Sequence, residues 1–189
     1  MKILHSAPLD IEISPRLKYA GTERILLYLN KGLSLAGHNS VVAAPGNSDL
    51  GGYGTLLPTR EKHLWSVNGN EREIIQSPEA YELHYEKCMS YASNNNFDVL
   101  HDHPGDCLFL SKAYKKRIDT FDVPVIMTAH GPVSPQCEKI ENYDEAEQRR
   151  KLETLREFQS RNVPVYLITI SKSHKEEHEA IENFAKLTK

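Results

Sequence analysis

Cysteine is scarce. Cys88, Cys107 and Cys137 lie far apart, with no Cys-x-x-Cys pair. An odd, scattered set argues against a disulfide framework and against a structural zinc site, and reads as reduced thiols of a cytoplasmic protein. Long apolar runs are also missing. No window approaches the 18 or so residues that span a bilayer, and Met1-Lys2-Ile3-Leu4-His5 lacks the extended apolar core of a signal peptide. Neither sign of charge dominates. With 23 Lys and Arg against 26 Asp and Glu, the net charge of −3 supports no basic face. Nucleic acid and anionic membrane are therefore excluded as partners. Internal repeats, low-complexity segments and composition shifts are absent, so residues 1–189 read as one domain. What is present is a soluble globular composition, 39% hydrophobic and 26% charged, long enough to bury a core without disulfides or metal.

Apolar runs alternate with amphipathic stretches. Ile3-Leu4 opens a first strand. Residues 22–36 follow with helical spacing that places Ile25, Leu26, Leu29, Leu33 and Ala36 on one face, and Gly37 stands where a left-handed cap is expected. A second buried strand covers 40–44. Residues 46–78 are the least regular, with a flexible Gly51-Gly52-Tyr53-Gly54 loop and a short strand over 55–57. Ser77-Pro78 starts a helix carrying Tyr81, His84, Tyr85, Cys88, Tyr91 and Ala92. Strands over 97–101, 124–129 and 163–170 alternate with helices over 108–117, 144–159 and from 171 or 173 to about 184. Continuous apolar strands separated by helices predict an α/β fold: a Rossmann-like parallel sheet with helices on both faces, in three layers.

In such a sheet ligands bind at the carboxyl ends of the strands. The chain's unusual residues collect there: His5-Ser6, His101-Asp102-His103 with Asp106, His130-Gly131, and Ser171-Lys172-Ser173. His101 and His103 are two apart and point to the same side if the strand continues that far. Such a pair suits a metal, a sugar hydroxyl or a proton transfer, and equally a satisfied polar core. The turn Ala20-Gly21-Thr22-Glu23-Arg24 lets backbone approach a ligand at a helix N-terminus, where an anion is favoured. It is not Gly-x-Gly-x-x-Gly, so it specifies no dinucleotide. Ser171 and Ser173 read most simply as helix caps, and His174 and His178 as surface residues.

Four motifs in order carry a family resemblance. Lys2-Ile3-Leu4-His5-Ser6-Ala7-Pro8 is followed by Tyr19-Ala20-Gly21-Thr22-Glu23-Arg24 and Ala36-Gly37-His38. Then come Phe97-Asp98-Val99-Leu100-His101-Asp102-His103, Pro124-Val125-Ile126-Met127-Thr128-Ala129-His130-Gly131, and Ile170-Ser171-Lys172-Ser173. Together they resemble the N-terminal, acceptor-side domain of family 4 glycosyltransferases, which have the GT-B fold. The resemblance implies retaining transfer from a nucleotide-sugar donor to a sugar-containing or small-molecule acceptor, with the donor as co-substrate and no further cofactor. It implies His103 and His130 at the reacting centre, Gly21 and Thr22 on the donor diphosphate side, and His101, Asp106 and Ser171 near substrate, with no metal. Ala20 replaces a usual glycine and fits if its φ stays negative. The family's second, donor-binding domain is not found after Ser173. Transfer is then expected only with that domain, for instance on a separate chain, and the strand-end rim is expected to be open. A non-catalytic sugar- or partner-binding module is the alternative. A third reading is a metal-dependent hydrolase using His101, His103 and His130.

Overall fold

The computed structural model describes residues 1–18, 20–68, 71–74, 78–104, 108, 111–117, 119–129 and 165–169. Within them the elements run β1 (Lys2–Ser6), α1 (Gly21–Leu35), β2 (Asn39–Pro45), β3 (Thr55–Arg60), β4 (Trp65–Asn68), β5 (Glu71–Ile74), α2 (Pro78–Asn94), β6 (Val99–Asp102), α3 (Lys112–Arg117), β7 (Val125–Ala129) and β8 (Val165–Thr169). Six strands form one sheet in the order β3-β2-β1-β6-β7-β8, and every pairing is parallel. The order reverses between β1 and β6, the crevice where doubly wound folds bind ligands.

The expected three layers are visible on β2. Val41 and Ala43 join a core with Leu4, Leu100 and the α2 residues Tyr85, Cys88, Met89 and Ala92. Val42 and Ala44, one position out of phase, join Ala7, Ile13 and Leu26 of α1. Adjacent residues of a strand face opposite ways, so α1 and α2 cover opposite faces. The apolar strands are continuous because each is buried on both sides. Pro58 is tolerated because β3 is an edge strand, where a missing N–H leaves no ladder partner unserved.

Three local expectations change. On α1 the deeply buried residues are Glu23, Leu26 and Asn30, while Ile25 is half exposed. Asn30 is drawn inward by hydrogen bonds: Ser40 Oγ donates to its Oδ1 (2.7 Å), and its Nδ2 donates to the Tyr53 carbonyl (2.8 Å). Those bonds tie the 51–54 loop down, so Gly54 is packed against Asn30 at φ +65°. Residues 46–78 are also more regular than expected. β3 extends to Arg60, and β4 and β5 pair antiparallel from Trp65↔Ile74 to Asn68↔Glu71. In the sequence only Gly69-Asn70 separates the two strands, and a two-residue Gly-Asn spacer is a hairpin signal. Gly37 does cap α1, at φ +80°, with His38 N donating to the Leu33 carbonyl. The expected cap at Ser77 and the helices over 144–159 and beyond 171 lie outside the described residues.

Candidate functional site

β1 and β6 lie side by side with His5 opposite His101 and Ser6 opposite Asp102. Beyond β6 the ladder continues for one bond, from His103 N to the Ser6 carbonyl (3.0 Å). Leu4 and Leu100 face α2, so strand alternation turns His5, His101 and His103 to the α1 side and Ser6 and Asp102 to the α2 side.

On the α1 side the three imidazoles form one cluster. The His101 and His103 ring centroids are 4.0 Å apart, and that of His5 is 5.4 Å from each. His5 Nδ1 and His103 Nε2 share a hydrogen bond of 3.2 Å, and His101 Nε2 bonds the Thr128 hydroxyl of β7 at 2.7 Å. The cluster is closed, with exposures of 0%, 8% and 2% for His5, His101 and His103, so the expected open rim is not seen here. The segment after β1 is held by bonds from Asp49 N to the Ile13 carbonyl, Leu64 N to that of Leu9, and Trp65 N to that of Asp10, and its Ala7, Leu9 and Ile13 are buried. Burial, with His101 nearby, lowers the pKa of His5 to about 3, so it is neutral.

On the α2 side His84 lies between Ser6 Oγ (3.0 Å from Nε2) and Thr59 Oγ1 (2.7 Å from Nδ1), with Cys88 Sγ 3.7 Å from Nε2. Thr59 donates its hydroxyl to the Ala44 carbonyl. It must therefore accept from Nδ1–H, which leaves Nε2 to accept from Ser6. His84 is thus a neutral Nδ1–H imidazole, in keeping with a pKa lowered to about 3 by burial and then by Lys87. Cys88 is a free, buried thiol whose pKa burial pushes up, so it is a poor nucleophile.

The third part is the start of α1. Lys18, Ala20, Gly21, Arg24, Ile25 and Tyr28 line a surface concavity. Two cations at the positive end of a helix suit a negatively charged ligand. Ala20 stands at φ +156°, not at negative φ, so it occupies a conformation that favours glycine. Gly21 itself has open space where a Cβ would be. Glu23 is buried in the first turn, and burial raises its carboxyl pKa, with Asp10 adding to the effect.

The sequence profile described as Glycosyltransferase Family 4 matches residues 19–186. The chain belongs to glycosyltransferase family 4. No curated protein sequence matches it. Among solved structures it is similar to sucrose-phosphate synthase from Thermosynechococcus elongatus, at 11% identity and a TM-score of 0.46, over 90% of this chain and 48% of that one. It is also similar to MurG from Acinetobacter baumannii, at 13% identity and a TM-score of 0.41, over 78% of this chain and 38% of that one. The chain thus spans about half the length of the synthase, or less for MurG.

Against this family 4 frame, the structure brings His101 and His103 together and adds His5 to them. Gly21 and Thr22 open α1, at the edge of the concavity. His130, Asp106 and Ser171 lie outside the described residues. So does the third histidine of the expected metal-hydrolase cluster, since that residue was His130. Sequence reasoning missed His84, Thr59, Thr128 and Glu23 as polar members of the two faces. Glu23 lies inside the Thr22-Glu23-Arg24 motif and could have been flagged. His84 was visible only as one of several residues at helical spacing. Among the described residues no helix is long and apolar enough to cross a membrane.

Proposed function

We propose that this family 4 domain is the acceptor side of a sugar-transfer site, in retaining transfer from a nucleotide-sugar donor to a sugar-containing or small-molecule acceptor. One observation carries the reading: the polar groups of a family 4 fold converge at the strand-order reversal, with His5, His101 and His103 on one face and Ser6, His84 and Asp102 on the other. His103 stands nearest the reacting sugar in this reading, and the start of α1, with Gly21 and Thr22, faces the donor diphosphate. Arg24 and Lys18 add positive charge where phosphate charge would sit. The donor acts as co-substrate with no further cofactor, and the rest of its pocket belongs to a second domain.

The test is a transfer assay with a panel of nucleotide sugars and acceptors, run on this chain alone and with a complementary donor-binding domain. The expected result is no turnover alone and transfer on complementation. Turnover by the isolated chain would remove the claim that a second domain is needed. Sugar binding without transfer in any combination would favour the non-catalytic module.

A further inference from the structure

The imidazoles of His5, His101 and His103 pack in one buried cluster. His5 Nδ1 and His103 Nε2 answer each other. At His5 Nε2, no hydrogen-bond partner lies within reach among the described residues. We propose that His5, His101 and His103 form a binding site for one divalent transition-metal ion of the zinc class.

Geometry is the first support. One ring nitrogen from each residue can be chosen so that all three lie within 4.8 Å of one another. The 3.2 Å between His5 Nδ1 and His103 Nε2 is close to the edge, about 3.3 Å, of a tetrahedron drawn around zinc with bonds of about 2.0–2.1 Å. Chemistry is the second. Imidazole nitrogens suit zinc, cobalt, nickel and copper, whereas calcium and magnesium take oxygen. The scaffold is the third. The ligands sit on two adjacent hydrogen-bonded strands and the first residue beyond one of them, so little backbone must move. The Thr128 hydroxyl holds His101 Nε2 at 2.7 Å, the kind of outer contact that orients a ligating imidazole. Three protein ligands leave a fourth position for an oxygen, from water or a hydroxyl compound. The site is built from histidines that the sugar-transfer reading also places at the strand ends; metal occupancy goes beyond that reading, which involves no metal, and is read out by metal binding and not by transfer.

The experiment uses the full chain stripped by chelator. Because the rings are buried, metal is offered both by titration and during refolding from urea. Cobalt(II) is the optical probe and zinc(II) the probe for stability and NMR. The expected result is one cobalt per chain with the strong visible absorption of a four-coordinate site. Zinc should raise the thermal midpoint and move the imidazole 15N resonances of three histidines. Thr128→Val keeps the side-chain shape and the three ligands, and should weaken binding about 10–100-fold. His5→Asn and His103→Asn should abolish the cobalt bands. If either fails to fold, the wild-type imidazole spectra and Thr128→Val still decide. No uptake after refolding, or equal uptake by wild type and Thr128→Val with no change in the three imidazoles, would overturn the proposal and place any ion on surface histidines such as His63.

Discussion

Acid sensitivity at His84 gives the most direct measure of how completely the α2 side of the site is closed. His84 is neutral in the fold, with its pKa lowered to about 3 from an ordinary 6.5. Unfolding returns the imidazole to water, where it takes a proton below pH 6.5. The unfolded state then binds more protons than the native state, so stability rises with pH between about 3 and 6.5 and is level above 7. One proton is worth about 1.4 kcal/mol per pH unit. At pH 5 the cost assigned to His84 is therefore about 2 kcal/mol, a sizeable share of a typical 5–15 kcal/mol stability. Other groups titrate in the same window, so the informative quantity is a difference. His84→Gln keeps a side chain that can reach Thr59 and Ser6, and carries no titrating group. Urea unfolding at 25 °C, followed by circular dichroism from pH 7.5 to 5.0, gives both profiles. The variant should be less stable at pH 7.5. Over the interval it should lose about 2 kcal/mol less than the wild type. Parallel profiles would refute the argument, because they would mean that His84 is solvated or already protonated in the fold.

Three glycine and alanine exchanges test the backbone. Gly54→Ala would place a Cβ against Asn30 Oδ1 and 2.7 Å from the Ser40 carbonyl, at φ +65°. Overpacking and left-handed strain together should cost about 3 kcal/mol and lower the thermal midpoint by about 6–12 °C in calorimetry. Ala20→Gly should relieve the strain at φ +156° and raise stability by about 1 kcal/mol in urea unfolding; a loss would show that Ala20 is unstrained. Gly21→Ala meets open space, so its stability should change by no more than about 0.5 kcal/mol. If the start of α1 faces the donor diphosphate, the same variant should still weaken nucleotide-sugar use in the complemented transfer assay, and unchanged kinetics would count against that placement.

How much of this was legible beforehand follows from what each signal depends on. Periodicity and punctuation are local. The continuous strands at Ile3-Leu4 and Val41-Val42, the helical spacing before Gly37 and the Pro78 start were enough for a parallel α/β fold, and the ordered motifs were enough for the family. His101 and His103 could be paired because strand alternation is a property of consecutive residues. His5 could not be joined to them, since 96 residues separate it from His101 and only the β1–β6 pairing closes that distance. Asn30 is not among the residues of the predicted apolar face, and only the fold supplies Ser40 and Tyr53 as its partners. Ala20 could be seen as a departure from glycine, but its φ is set by how the chain enters α1. The sequence by itself determined which residues are apolar, which turns break the chain and which polar groups fall at strand ends. The tertiary structure alone decided that three of those polar groups meet in a closed cluster and that His84 faces Ser6 and Thr59 across the other side. Those contacts join strands distant in the chain, and burial sets their proton affinities only once the layers have packed.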